Sequence, residues 1–441
     1  MSHSRRIPAY VIHLKKRAER KIHILEQFSG RDEFDIHIVE AIENTVGAIG
    51  LWYSLQHIIR SLSTTQDEYI LICEDDHQFT NHYSSHMLHS AIEQAREKNA
   101  DLLTGGVSGF VNAVEVSDKL WWVEQFSGLQ FTIIFRKFFN TILEAGFGDQ
   151  DAADYKLSVC AQHKFLVYPF ISIQRDFGYS DATFSHHRSR DVAAMFENSS
   201  RYMQTLKAVS DYYRKQYQDK DTAVNTADAD QITIPTFVIR GPGNTYHIKQ
   251  QFAGRKEFDL TIMDACTQQD DALSLWQTIR EVVQMAIDKG DDIIIICRDH
   301  HVFTPYYSWE YLLKNILEAY NDHVCILLGG VGRFTHAIPV TRERTWINSF
   351  GACPFMVIFR QLFQSILDEP FDGLITPDVL LSEITSNKMV MHPFISIPQN
   401  VDDITFKDSH LTPLKFDGCS GQIAFIKKIL HKYSCQLASG K

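Results

Sequence analysis

A chain of 441 residues, 44% hydrophobic and 22% charged, has the composition of a folded protein and the length for two domains of roughly 200 residues each. Its formal net charge of −11 excludes a nucleic-acid binder driven by phosphate contacts, because no domain-wide basic excess is present to displace counterions. The N-terminus, MSHSRRIPAYVIHLKKR, is too short and polar for a signal peptide, and no run approaches the ~18 apolar residues of a membrane span, so a soluble, cytoplasmic protein without a membrane span is expected.

In chain order, AYVIHL reads as a buried strand and KRAERKIHILEQF as a helix. FDIHIVEA is a strand, IGLWYSLQHIIRSL a helix, and YILIC an apolar strand that ends in acids. A helix over about 84–98 and a strand at DLLTGGV follow. Strands alternating with helices predict an α/β fold with a mostly parallel, Rossmann-like sheet, whose ligands bind at the carboxyl ends of the strands. The eight cysteines, at 73, 160, 266, 297, 325, 353, 419 and 435, form no CxxC pair and sit mostly in apolar runs, the pattern of reduced, buried thiols.

The dominant feature is an internal repeat. QFSGRDEFD (27–35) returns as QFAGRKEFD (251–259), an offset of 224, since 251 − 27 = 224. At the same offset YILICEDDHQFT (69–80) becomes IIIICRDHHVFT, GGVSGF (105–110) becomes GGVGRF, and FTIIFRKFFNTIL (131–143) becomes FMVIFRQLFQSIL. PFISI occurs at 169–173 and again at 393–397. The chain is therefore read as two copies of one domain, 5–190 and 232–411. Between them lies a helical linker, 191–231, and a helical tail follows at 412–441.

The strongest candidate for chemistry is Glu74-Asp75-Asp76, delivered by YILIC to the functional edge of the sheet. Glu74 and Asp76 have the i, i+2 spacing that suits a hard divalent cation bound together with a diphosphate. The competing reading is a solvated acidic loop. In the second copy the segment is Arg298-Asp299-His300: the strand and the middle aspartate persist, and both outer carboxylates are gone. A fold that needed those acids for packing would keep them in both copies. Arg17 and Arg20, one helical turn apart after the first strand, could grip a nucleotide diphosphate at the helix start, against the alternative of a solvated basic face. The second copy reads RGPGNTYHI there, three residues shorter and without those arginines.

VIHLKKRAER, IVEAIEN, GAIGLWYS (47–54) and ILICEDD, in this order and spacing, resemble glycosyltransferase family 25, the lipopolysaccharide sugar transferases and collagen galactosyltransferases. PFISIQRDFGYSD (169–181) is similar to the family's closing P-x-I-x-Q…S-D stretch. The chain departs from the pattern at Leu51 and Leu55, where the family carries Cys and His, and Gln174, Ser180 and Asp181 have no counterparts in the second copy. The resemblance implies two tandem GT-A-like domains, the first active and the second degenerate. It implies transfer of a hexose from a nucleotide-sugar, commonly a UDP-hexose, to an acceptor hydroxyl of a saccharide, peptide or protein, with inversion and with Mn²⁺ or Mg²⁺. Asp76 would be the main metal ligand and Glu74 would share the metal or the donor ribose. Arg17, Arg20, Ser54 and Asp181 would lie at the nucleotide-sugar.

FGDQDAADYKLS offers Asp149, Asp151 and Asp154 as the base; they align with Gly373, Ile375 and Asp378. Asp154 persists in the second copy and reads as structural, which leaves Asp151 first and Asp149 second. His187 aligns with Leu411 whereas His186 aligns with His410, so His187 is the candidate third metal ligand, weighed against an ordinary surface histidine. Of Trp121 and Trp122 only the second recurs, as Trp346; Trp121 is the candidate for an acceptor groove and Trp122 for the core. Two other classes compete: a non-catalytic binding or scaffold protein, and a nucleotidyltransferase, whose glycine-rich basic loop is absent. Acceptor presentation and homo-oligomer contacts are both open roles for the second copy.

Overall fold

The computed structural model describes residues 6–62, 66–178, 191–218, 232–241, 246–265, 271–399 and 413–438. The chain divides into two compact units: residues up to 209 together with those from 429 on, and residues 210–428. Asp181, Ser180, His186 and His187 lie outside the described residues.

The first unit opens with β1 (Ile7–His13), α1 (Ala18–Phe28), β2 (Phe34–Glu40), α2 (Gly47–Ser61) and β3 (Tyr69–Glu74). A short β4 (His77–Phe79), α3 (Ser85–Glu97) and β5 (Leu102–Thr104) follow. The chain then runs through β6 (Gly109–Phe110), β7 (Ala113–Glu115), β8 (Leu120–Val123), β9 (Phe126–Ser127) and β10 (Phe131–Phe135). It closes with α4 (Phe139–Glu144), α5 (Ala153–Cys160), β11 (Lys164–Val167), β12 (Ser172–Gln174) and the long α6 (Val192–Gln218), whose residues up to 209 belong to this unit.

Eight strands form one sheet in the order β2-β1-β3-β10-β5-β11-β8-β7. β1 is parallel to β2 and β3, and β11 is parallel to β5, while β10 and β8 run against their neighbours. Six strands thus share one direction, and the expected α/β, mostly parallel architecture holds. The segment after β5 is where sequence periodicity is silent: β6 and β9 have two residues each, and β7, β8 and β10 are buried throughout, so none carries an alternation to read. β3 is buried throughout Ile70–Cys73, which anchors its C-terminal acids at a fixed point of the sheet edge.

The second unit repeats this order with β13 (Ile234–Arg240), α7 (Tyr246–Phe252), β14 (Phe258–Asp264), α8 (Asp271–Lys289) and β15 (Ile293–Arg298). β16 (His301–Phe303), α9 (Trp309–Asn321), β17 (Ile326–Leu328), β18 (Ala337–Pro339), β19 (Arg344–Ile347) and β20 (Phe355–Phe359) come next. It ends with α10 (Phe363–Asp368), α11 (Pro377–Ile384), β21 (Lys388–Met391), β22 (Ser396–Pro398) and α12 (Pro413–Ala438), whose residues up to 428 belong to this unit. Its sheet, β14-β13-β15-β20-β17-β21-β19-β18, matches the first strand for strand.

Matching extends to single hydrogen bonds. His77 Nδ1 meets Ser172 Oγ at 2.8 Å, and His301 Nδ1 meets Ser396 Oγ at 2.7 Å. Gln27 Oε1 accepts from the Phe79 amide at 2.9 Å, as Gln251 Oε1 does from Phe303 at 3.0 Å. Ser84 and Ser308 cap α3 and α9 by accepting from the third residue on, at 3.1 Å in each case. These polar contacts belong to the shared scaffold, so residues that differ between the copies stand out against it.

Both helical segments outside the expected domain limits carry core residues: α6 buries Phe196, Met203 and Leu206, and α12 buries Phe416, Ile423, Ile426 and Tyr433. Within the first unit Tyr433 packs edge-on against Phe165. The six described cysteines that the structure places as thiols are all free, and four of them are buried. Among the described residues no helix is long and apolar enough to cross a membrane.

Candidate functional site

The C-terminal ends of β1 and β3 lie side by side, with Ile12 in register with Glu74. This brings His13, at the end of β1, and the first turns of α1 against the acidic turn after β3. Arg20 is buried, and its Nη1 donates to Asp75 Oδ1 at 3.1 Å and to Asp76 Oδ2 at 2.9 Å. His13 Nδ1 lies 2.9 Å from Asp75 Oδ2, so both oxygens of the middle aspartate are engaged. Gln174, at the end of β12, donates from Nε2 to Asp76 Oδ2 at 2.7 Å. The Arg175 amide donates to the Asp76 carbonyl at 2.8 Å, pinning the turn to β12.

An outer layer closes this cluster. Arg175 Nη1 donates to His23 Nδ1 at 3.1 Å, and His23 Nε2 meets the His77 carbonyl at 2.9 Å. The Phe177 ring lies 4.8 Å from the Arg20 guanidinium carbon and 5.0 Å from that of Arg175, both within cation–π range.

The electrostatics follow from burial. Desolvation pushes the Glu74 carboxyl well above its ordinary range, and the neighbouring Asp76, Asp154 and Asp75 push it further, against the lowering influence of Arg20. Asp76 is raised to about 6, again mainly by burial, with the Gln174 hydrogen bond and Arg20 opposing and Asp75 reinforcing the rise. Asp76 Oδ1 is buried and has no hydrogen-bond partner. A carboxylate oxygen left in that condition is costly unless a cation or donor arrives.

The other sequence candidates fall in different places. Arg17 is buried at the N-terminal cap of α1, and its carbonyl accepts from the Arg20 and Lys21 amides at 3.1 and 3.3 Å. Ser54 is fully buried in α2, where its Oγ donates to the Gly50 carbonyl and accepts from the Ile42 amide, both at 2.7 Å. A Cβ on Gly50 would meet the Ile42 carbonyl at 2.4 Å. The Gly-x-Ile-Gly-x-x-x-Ser segment therefore packs the chain entering α2 against that helix, a role the bare motif does not disclose. Thr278 repeats the hydroxyl contact in the second copy, donating to the Ser274 carbonyl at 2.9 Å.

Asp151 sits outside the Arg20 cluster. Its Oδ2 accepts from the Gly148 amide at 2.9 Å and from Lys156 Nζ at 3.1 Å, and these two contacts hold its carboxyl below the usual range. Asp149 is exposed on the same loop. Asp154 Oδ2 accepts from the Gly128 amide at 2.7 Å, and Asp378 does the same for the Cys353 amide at 3.0 Å, so the structural reading of Asp154 holds.

Trp121 corrects its expectation. It is fully buried in β8, as Trp122 nearly is, because β8 lies between β11 and β7 with both faces covered. It presents no surface to an acceptor.

Sequence reasoning named Asp75 within the acidic tripeptide and Gln174 as unmatched in the second copy, and missed His13, His23 and Arg175 as members of the same cluster. The available signal was the comparison of copies: Gln174 and Arg175 stand opposite Pro398 and Gln399, and His13 opposite Arg240. Among the described residues no group of three or more His, Cys, Asp and Glu side chains is arranged to hold a metal by itself.

No protein-family model matches the chain. No curated protein matches it in sequence. Among solved structures it is similar to A197 from STIV, at 14% identity over 40% of this chain and 100% of that one, with a TM-score of 0.28. It is similar to UDP-glucose pyrophosphorylase complexed with UDP-glucose, at 9% identity over 45% and 81% of the two chains, with a TM-score of 0.27. HddC from Yersinia pseudotuberculosis is similar at 10% identity over 34% and 63%, with a TM-score of 0.19. Likeness of this size carries no functional assignment; what the chain itself presents is an α/β sheet edge with buried, partly unsatisfied carboxylates in one of two matching copies.

Proposed function

We propose that the N-terminal copy is a metal-dependent glycosyltransferase domain that moves a hexose from a nucleotide-sugar, of the UDP-sugar type, to an acceptor hydroxyl with inversion. The observation that carries this reading is the pair Glu74 and Asp76. The half-buried Glu74 and the buried Asp76 stand at the end of β3 with raised proton affinities, one oxygen of Asp76 lacks a hydrogen-bond partner, and both residues are replaced in a copy that keeps the surrounding scaffold. The resemblance to glycosyltransferase family 25 supplies the reaction class.

The residues fit a divalent cation. Mg²⁺-like ions keep several waters and are held by one or two carboxylates together with substrate phosphates, so a three-residue protein cage is not required. Asp76 Oδ1 and the Glu74 carboxyl would hold Mn²⁺ or Mg²⁺, which when bound would neutralise charge on the departing diphosphate. Arg20, His13 and Gln174 orient the acidic turn through Asp75 and Asp76 Oδ2 and leave Oδ1 for the ion. Arg20 thus acts through the carboxylates, not as a separate grip on phosphate.

The base comes from the 148–151 loop. Asp149 takes precedence over Asp151, because Gly148 and Lys156 already stabilise the Asp151 carboxylate and weaken it as a proton acceptor. The Asp149 carboxylate would accept the proton of the acceptor hydroxyl as its oxygen bonds to the anomeric carbon and the bond to the nucleoside diphosphate breaks.

The test is UDP binding by calorimetry, with and without Mn²⁺, on the full chain and on Asp76→Asn. A Mn²⁺-dependent class of one site per chain that disappears in Asp76→Asn is the expected result. Absence of any such class with Mn²⁺ or Mg²⁺ would sink the reading and leave the scaffold alternative.

A further inference from the structure

The second copy keeps the frame of the site while inverting its charge. The amide that carries Glu74 is bonded to the Gln130 carbonyl at 3.3 Å, and the equivalent Arg298 amide to the Pro354 carbonyl at 2.9 Å. The carbonyl of Asp76 accepts from the Arg175 amide at 2.8 Å, and that of His300 from the Gln399 amide at 2.7 Å. Arg298 and His300 therefore project from the backbone positions that Glu74 and Asp76 occupy in the first copy. Asp299, the aspartate common to both, has turned to backbone: its Oδ2 accepts from the Gly241 amide at 2.9 Å.

Where the first copy buries an acceptor with no partner, the second buries donors. Arg298 Nε and His300 Nε2 are both buried atoms with no hydrogen-bond partner. His300 Nδ1 lies 3.4 Å from Asp299 Oδ1, so the ring meets that carboxylate through Nδ1 and Nε2 is left for a ligand. Arg240, at the end of β13 where the first copy has His13, is anchored by Nε on Asp264 Oδ1 at 2.6 Å, which keeps a further cation at this edge. A guanidinium and an imidazole, two residues apart at the carboxyl end of a buried strand, form a ready site for an anion with several acceptor oxygens.

We propose that the C-terminal copy is not an empty scaffold but a metal-free binding site for a diphosphate group, with Arg298 and His300 taking the place that a cation held by Glu74 and Asp76 would take in the first copy. The diphosphate class follows from the duplication and to that extent rests on the reading of the N-terminal copy; the preference for an anion rests on the second copy alone.

The experiment is calorimetry on the full chain in EDTA, with pyrophosphate, UDP and uridine as separate probes. One site per chain for pyrophosphate and for UDP, none for uridine, is expected. Affinity should fall at least tenfold in Arg298→Gln/His300→Gln and stay unchanged in Asp76→Asn. No metal-free binding of pyrophosphate or UDP by the native chain overturns the proposal, as does binding that survives in the double variant. If the double variant loses its fold by circular dichroism, Arg298→Lys decides: it keeps the charge and removes the fork, so weakening of fivefold or more supports the site and unchanged affinity overturns it. Loss of the Mn²⁺-dependent class alone would count against the N-terminal reading and leave this one standing.

Discussion

Arg20 Nη1 donates to Asp76 Oδ2 at 2.9 Å, so the aspartate proposed as a metal ligand has one oxygen already committed to an organic cation and the other still unpaired. This division gives each member of the cluster a separable role: Arg20 and Gln174 fix the carboxylate plane, and Oδ1 is left for a ligand. Both partners of the Arg20–Asp76 contact are buried, which makes the pair sensitive to loss of either side.

Removing Arg20 is expected to destabilise the first unit strongly. Arg20→Ala leaves Asp75 and Asp76 buried without their cation, and broken buried pairs of this kind cost about 3–5 kcal/mol. Urea denaturation should show a correspondingly lower midpoint. The surface pair Lys16–Glu43, at 3.4 Å, provides the control: Lys16→Ala should move the midpoint by no more than about 1 kcal/mol.

Gln174→Pro, which installs the residue found at 398, should weaken Mn²⁺-dependent UDP binding while the sheet persists. Its Nε2 contact is the second donor on Asp76 Oδ2, and a hydrogen bond to a charged group contributes about 1.5–3 kcal/mol. Calorimetry on Gln174→Ala separates loss of this contact from the backbone effect of proline; unchanged affinity in Gln174→Ala would show that the contact does not orient the site.

The two loop carboxylates should separate in a turnover assay. Asp149→Asn is expected to lower turnover by about 10²–10⁴-fold, the range for loss of a general base, with UDP binding unchanged. Asp151→Asn should stay within about tenfold, because that carboxylate is already stabilised by Gly148 and Lys156. The reverse ranking would return the base to Asp151.

Gly50→Ala should destabilise by about 1–3 kcal/mol through overpacking, since its Cβ would press on the Ile42 carbonyl. Ser274, its counterpart in the second copy, already carries a Cβ, so the second copy accommodates that atom at this position. An unchanged thermal midpoint in Gly50→Ala would show that the close approach at Gly50 has no energetic consequence.

Acidification should destabilise the chain through the buried His301 and the half-buried His392. Burial, helped by nearby His300, His247 and Arg255, lowers His301 to about 3; burial and Lys427 lower His392 to about 4. The unfolded chain protonates these rings near their ordinary value of about 6.5 while the folded chain does not, so stability falls between about pH 6.5 and 4, by at most about 1.4 kcal/mol per pH unit for each ring. Asp76, raised to about 6, acts in the opposite sense: its folded carboxyl takes up a proton first, which favours the folded state as pH drops from about 6 toward 4. Urea midpoints at pH 7.5, 6 and 4.5 should therefore decline less steeply in His392→Gln than in the native chain.

Much of this protein is legible without coordinates. The alternation of β1, α1, β2, α2 and β3 follows from apolar periodicity, and a repeat spaced by 224 residues requires two copies of one fold, because matching core positions demand matching packing. The replacement of Glu74 and Asp76 by Arg298 and His300 is visible in the letters alone. The short strands β6–β9 are not, since strands of two to four residues have too few positions for a period, and their pairing is set by neighbours distant in sequence.

Only the tertiary structure decided what the conspicuous residues touch. Arg20 looks from its sequence like a phosphate grip, and its position on α1 against the end of β3 makes it the partner of two aspartates. Ser54 looks like a donor contact and is a packing hydroxyl; Trp121 looks like a groove residue and is core. Residue type and spacing determine which chemistry is available along the chain. Which atoms are desolvated, and which of them are left without a partner, depends on segments 54 to 152 residues apart meeting at one sheet edge, as His23 does with His77 and with Arg175, and that is a property of the packed fold.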